Sequence, residues 1–226
     1  MPIFELNISN FLFPKPEYAN DDGLLAMGGD LSVERLLNAY ANGIFPWFNE
    51  NDPILWWSPN PRFVIFPDEF KARKSLLQKI RNSNFKIRYD YDFNSVIKSC
   101  ATIKRKHEEG TWITAEMEQA YINLFAIGIA HSVEVYKNNE LIGGLYGVQI
   151  GNVFTGESMF SRKSDASKIA LYFLSKNANK FGFKLIDVQM KTDHLVSLGA
   201  KGIDRDEFIN YLKNSYKQTR FEKWKI

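Results

Sequence analysis

The chain has 226 residues, of which 45% are hydrophobic, 15% aromatic and 24% charged, with a formal net charge of +3. This balance excludes a largely disordered chain, and no stretch approaches the roughly 18 uncharged apolar residues of a membrane span. A single cysteine, Cys100, excludes an intramolecular disulfide and a thiolate metal cluster. The start, MPIFELNISNFLFPKPEY, lacks the basic region and long apolar run of a secretory signal. Together these features lead us to expect a cytoplasmic protein with no membrane partner.

The charge is unevenly spread. Residues 1–70 hold three basic and ten acidic side chains, whereas residues 71–106 hold eleven basic and two acidic. A basic block in a near-neutral chain is the footprint of a polyanion partner or simply a solvated helix face.

Along the chain, Asp-Gly and Gly-Gly turns precede a helix expected from Ser32, with Leu36, Leu37 and Tyr40 on one face and Gly43 as its C-cap. Prolines on both sides of Asn60 end any long element there, so a boundary is expected near residues 62–68. We place it at 64, giving an N-terminal domain over 1–64 and a second domain over 65–226. From Asp68 the pattern reads as a basic amphipathic helix, then FKIRYDY alternates like a strand. The segment FNSVIKSCATIKRK reads as a helix with Lys104, Arg105 and Lys106 in its last turn. Another helix covers 116–127, closed by Gly128. Residues 131–161 read as two strands with Asn138-Asn139 making a hairpin. Residues 165–181 read as one helix, FKLIDVQM as a strand, and the remainder as a short helix, a turn and a last helix or strand. This order predicts an α+β fold rather than a regularly alternating one.

No motif for metal, nucleotide phosphate or a serine hydrolase is present. His107, His131 and His194 share no ligand spacing, and HExxH, GxSxG, GxxxxGK[ST] and GxGxxG are all missing. No metal and no cofactor are therefore expected. Trp47, Trp56, Trp57 and Trp112 lie beside turn-forming residues; each is either a core plug or a face on which a nucleobase stacks. Glu157 sits in an apolar strand context, where a carboxylate is costly without a partner. Strand alternation puts Asp187 and Gln189 on one face and Ile186 and Val188 on the other. Such a polar pair either lines a cleft or belongs to a structural hydrogen-bond network.

The segments GLLAMGGDLSVERLLNAYANGIFPWF, DPILWWSPNPR, EEGTWIT, AHSVEVY, GGLYGV, GESMFSR, ASKIAL, LIDVQM and HLVSLGA follow in this order over nearly the whole chain. In them the sequence strongly resembles the leucyl/phenylalanyl-tRNA–protein transferases. The resemblance implies a bacterial enzyme that moves Leu or Phe, and Met weakly, from aminoacyl-tRNA to the N-terminal Arg or Lys of a protein, marking it for N-degron proteolysis. It also implies a small N-terminal domain followed by a mixed sheet flanked by helices, of the GCN5-related acetyltransferase type.

By the same resemblance, Asp187 would act as a polarising partner, Gln189 would contact the attacking amine, and Glu157 would hold the N-terminal end of the acceptor. Leu145, Phe154, Met159, Leu171, Leu174 and Ile186 would form the apolar pocket for the transferred side chain. Trp47, Trp112 and Tyr121 would surround the terminal adenosine. The basic block, with Lys71, Arg73, Lys74, Lys104, Arg105 and Lys106, would touch acceptor-stem phosphates. An aminoacyl ester is already activated, so the absent nucleophile triad is no objection: the task is to place an amine and stabilise an oxyanion. Departures from the family pattern fall at Leu145, Leu174 and Val188; the last is expected to face away from the site.

Two other readings are an acyl-CoA-dependent N-acyltransferase of the same fold and a tRNA-binding module without activity. The first needs a Gly-rich pyrophosphate turn, but SRKSDAS stands before the helix at 165. The second leaves the polar set at 157, 187 and 189 without a role. No apolar repeat suggests a partner surface, so a monomer is expected.

Overall fold

Two sheets divide the chain, and turn residues set where each strand ends. The computed structural model describes residues 3–103 and 112–224. The first sheet contains β1 (Phe4–Leu6), β2 (Leu24–Gly28), β3 (Phe45–Pro46) and β4 (Leu55–Trp57), in the order β1-β2-β4-β3. Only the β1–β2 pair is parallel. Helix α1 (Val33–Ala41) lies between β2 and β3, as the sequence predicts. The Ser32 side chain accepts a hydrogen bond from the Arg35 N–H, and Gly43, at φ +73°, supplies the left-handed residue that closes the helix. Leu36, Ala39 and Tyr40 face the core.

The second sheet has seven strands in the order β11-β5-β10-β9-β8-β7-β6. They are β5 (Arg62–Ile65), β6 (Lys86–Tyr89), β7 (Ala130–Lys137), β8 (Glu140–Ile150), β9 (Val153–Ser161), β10 (Leu185–Gln189) and β11 (Lys201–Ile203). All neighbours are antiparallel except β9 and β10. The helices are α2 (Lys74–Asn82), α3 (Phe93–Thr102), α4 (Ala115–Ala126), α5 (Ala166–Lys176), α6 (Ala178–Phe181), α7 (Asp193–Ser197) and α8 (Arg205–Ser215). The fold is thus α+β. Alternation along β8 separates two cores: Tyr146 and Val148 pack with Phe93, Tyr121 and Phe208, while Leu145 on the other face packs with Ile169, Ala170 and Leu174.

Four local expectations need correction. The basic helix starts at Lys74, not Asp68: residues 67–69 form a 3₁₀ turn, Phe70 is extended, and Lys71 and Arg73 precede the helix. Helix α3 ends at Thr102, where Ile103 is extended, short of the expected end that carried Lys104, Arg105 and Lys106. These three residues lie outside the described residues. Residues 130–161 form three strands, the second reversal falling at Gly151 with φ +54°. The predicted 165–181 helix is divided at Asn177, whose φ of −104° and ψ of 9° separate α5 from α6. The Asn138-Asn139 hairpin is present, both residues having positive φ as a two-residue turn requires. Among the described residues, no helix is long and apolar enough to cross a membrane.

Candidate active site

Strands β9 and β10 pair for only three residues, Val153–Thr155 against Leu185–Asp187, and then separate. The cause lies in β10. A bulge between Asp187 and Gln189 shifts its register against β5, and Gln189 sits at φ +58°. The gap between the strands holds a cavity of about 200 Å³. Leu145, Phe154, Met159, Leu171, Leu174 and Ile186 all line it, so the six residues expected to form an apolar pocket are brought together. Val188 lines it as well, on the same face as Ile186, contrary to the expectation that it faces away; what the bulge re-aims is Gln189, which reaches this cavity while Asp187 does not.

A second cavity of about 210 Å³ lies across a polar ridge formed by Glu157 and Gln189, which border both spaces. Phe45, Trp47, Trp112 and Met190 wall this second space. Trp47 is 40% exposed and meets Trp57 edge-on, its carbonyl accepting the Trp57 indole N–H at 2.7 Å. Trp56, by contrast, is a core plug, fully buried with its indole N–H donated to the Gly28 carbonyl. Trp56 thus takes the core role, while Trp47 and Trp112 border an open cavity.

Tyr121 does not stand where a base could stack on it. It is fully buried beneath Glu157, to which its hydroxyl donates at 2.7 Å, and it shares a second hydrogen bond with the Tyr40 hydroxyl. Its role is to hold Glu157. Burial pushes the Glu157 carboxyl up to about 7, against the opposing hydrogen bonds of Tyr121 and Tyr40; the Asp187 carboxylate raises it further and Arg62 lowers it. Both tyrosine hydroxyls are themselves held well above their usual range by burial and by Glu157. The Gln189 amide N–H group reaches the other Glu157 oxygen at 3.5 Å.

Asp187 is fully buried and lines neither cavity. Arg62 grips it with both arms of its guanidinium, Nε to Oδ1 and Nη2 to Oδ2, each at 2.7 Å. The Gln189 backbone N–H donates to Oδ1 at 2.9 Å. Asp187 and Gln189 are therefore joined as expected, but not side by side on one strand face: the aspartate fixes the bulge that aims the glutamine. Arg62, itself fully buried between the rings of Phe45 and Phe208, is the residue that sequence reading missed. Its signal was an arginine placed directly before the apolar run FVIF.

Of the basic residues expected to touch phosphate, Lys71, Arg73 and Lys74 are exposed at the start of α2. His131 and His194 have different surroundings: His131 bonds Asp90 in the core, and His194 borders a separate polar cavity near Arg73 and Lys168. Among the described residues, no group of three or more His, Cys, Asp or Glu side chains is arranged to hold a metal.

Residues 64–213 match the leucyl/phenylalanyl-tRNA protein transferase family, and residues 29–60 match the N-terminal domain of that family. A leucyl/phenylalanyl-tRNA–protein transferase of Hydrogenovibrio crunogenus is 54% identical over 212 residues, 93% of this chain and 83% of the relative. Those of Syntrophus aciditrophicus and Nitrosospira multiformis are 52% and 53% identical, each over 96% of this chain and over 91% and 94% of their own lengths. Among solved structures, a GCN5-related N-acetyltransferase from Kribbella flavida overlaps 72% of this chain and 58% of its own, at 8% identity and a TM-score of 0.38. A superposition that loose does not extend to function.

Proposed function

We propose how the site works from one premise: the chain belongs to the leucyl/phenylalanyl-tRNA–protein transferase family, and it is an aminoacyltransferase that moves an aminoacyl group from aminoacyl-tRNA to a protein. The donor is Leu- or Phe-tRNA, with weaker use of Met, and the acceptor is a protein beginning with Arg or Lys. The observation that carries this reading is the pair of cavities on either side of the Glu157–Gln189 ridge. An apolar cavity of about 150 Å³ is known to take a benzene ring, so about 200 Å³ lined by Leu, Phe, Met and Ile side chains suits Leu, Phe and Met. The space walled by Trp47 and Trp112 suits the terminal adenosine. The ester carbonyl then lies over the ridge.

The acceptor's α-amine attacks that carbonyl, the new C–N bond forms, and the ester C–O bond breaks. The amine's proton leaves with the departing ribose oxygen. Glu157, with its carboxyl near 7, holds the incoming amino terminus and takes part of its positive charge. Gln189 contacts the amine. Asp187 touches no substrate; through the Gln189 backbone N–H it keeps that side chain in place, so it is a positioning residue. Lys71, Arg73 and Lys74, together with Lys104, Arg105 and Lys106, bind acceptor-stem phosphates. The turn before α5, SRKSDAS, has no glycine to let a pyrophosphate approach the backbone, which disfavours acyl-CoA as donor.

We further propose an N-terminal domain built on the first sheet and a GCN5-related catalytic domain built on the second, with the boundary expected at 64 moved ahead of β5 (Arg62–Ile65), which pairs within the second sheet, and that the protein acts as a cytoplasmic monomer in N-degron marking. Binding of 3′-amide analogues of phenylalanyl-adenosine and aspartyl-adenosine tests the site. The phenylalanyl analogue should bind at least tenfold more tightly, and Leu145→Trp should abolish the preference. Equal binding of the two analogues would reject the cavity assignment.

A further inference from the structure

Phe154 closes one end of the apolar cavity, and what lies behind it comes from a distant part of the chain. Its ring touches Phe183 and Trp224, with centroids 5.6 and 5.5 Å away, and neither of these borders the cavity. On another side a Cβ at Gly147 would lie 2.6 Å from Phe154 Cζ and would run into the Thr155 carbonyl, so the backbone approaches the ring as closely as glycine permits. Phe154 therefore moves only if Trp224 or Phe183 yields.

Trp224 is held more firmly than core packing requires. Its ring is stacked between His131 at 4.3 Å and Phe181 at 3.8 Å. Its indole N–H donates to Gln149 Oε1 at 3.0 Å, and its backbone N–H donates to Asp90 Oδ2 at 2.7 Å. Asp90 Oδ2 also bonds His131 Nδ1 at 2.8 Å, tying the stack together. Behind it lies a polar cavity of about 150 Å³ bordered by Lys180, Arg220 and Lys223, so the stack and hydrogen bonds, rather than filled space, keep the indole forward.

We propose that Trp224 is a positioning residue that sets the depth of the side-chain pocket by holding Phe154 in place. The inference rests on the reading of the apolar cavity as the site of the transferred side chain. Pocket selectivity between neighbouring aliphatic and aromatic groups depends on fit at the level of single methylenes. A wall that retreats favours the longer side chain.

The test measures kcat/KM for Leu-tRNA and Phe-tRNA with an acceptor protein beginning with Arg. Folded Trp224→Leu should raise the Phe-to-Leu ratio by about threefold or more, chiefly by raising KM for Leu-tRNA. Trp224→Phe, which keeps a ring in the stack, should stay within about twofold of the parent ratio. Should Trp224→Leu fail to fold, Phe183→Leu removes the other ring behind Phe154 and should shift the ratio the same way. Equal losses with both donors would mean a structural role only and overturn the proposal. Leu145→Trp separates the two levels: if it too leaves the ratio unchanged, the cavity reading falls and this inference with it. If it shifts the ratio while Trp224→Leu and Phe183→Leu do not, the inference alone falls.

Discussion

Asp187 and Arg62 form a two-pronged ion pair from which water is excluded, and the same aspartate oxygen that accepts Arg62 Nε also accepts the Gln189 backbone N–H. A buried pair of this kind is costly to break from one side, by roughly 3–5 kcal/mol, because the remaining charge is stranded. Arg62→Met should therefore lower the unfolding free energy by about that amount in urea titrations. Asp187→Asn keeps the shape but loses one acceptor. It should cut transfer more than tenfold while changing tRNA affinity less than twofold. Equal losses in both would show that Asp187 supports RNA binding rather than the placement of Gln189.

Glu157 gives the reaction a pH signature. Its carboxyl titrates near 7, well above an ordinary glutamate. A free α-amine titrates near 8. The rate should therefore rise through two ionisations as pH increases, the lower one belonging to Glu157. In Glu157→Gln the lower step should vanish while the upper remains, and kcat/KM at pH 7.5 should drop at least tenfold. An unchanged profile would remove Glu157 from amine binding.

Glu134 carries a separate pH effect on stability. It is fully buried on β7, accepts the Ser132 hydroxyl, and is pushed up to about 7 by burial, with the Asp90 carboxylate adding to the rise. A carboxyl raised in the folded state binds its proton more tightly there than in the unfolded chain. Its contribution is thus fully present below about 4.5 and is lost as pH climbs through 7. Shifts of this size correspond to on the order of 3 kcal/mol. Glu134→Gln should gain stability over the parent chain between pH 5 and pH 8 in paired urea titrations. A constant difference across that range would contradict the burial of a charge at this position.

The basic block should be readable in salt. Each phosphate contact contributes roughly 0.7–0.9 to the slope of log K against log salt. Replacing Lys71, Arg73 and Lys74 with alanine should flatten that slope by about 2–3 and weaken binding of uncharged tRNA at low salt. An unchanged slope would move the RNA footprint away from the start of α2.

Much of this was legible in the residues. Ser32 and Gly43 bracket α1 because capping is local chemistry. The six pocket residues were reachable only through family resemblance, since they come from β8, β9, α5 and β10 and no spacing unites them. The bulge at Asp187–Gln189 was not legible, because it follows from Arg62 and the pairing with β5, residues 125 positions away in the chain. Alternation therefore mispointed Gln189, which leaves the face of Asp187 and lines the cavity beside Val188. Tyr121 was set beside the adenosine by resemblance alone, and a lone tyrosine in a helix does not announce whether its hydroxyl meets solvent or a buried carboxylate. The start of α2 was misplaced because Pro67 and the acidic pair after it form a 3₁₀ turn that a helical apolar period also accommodates.

Transfer of radiolabelled Phe and Leu from their tRNAs to a protein beginning with Arg, beside the same protein beginning with Ala, tests the central claim most directly. The account expects labelling of the Arg protein with both amino acids and none of the Ala protein. Labelling of both proteins alike, or of neither by a folded chain that still binds tRNA, would contradict it.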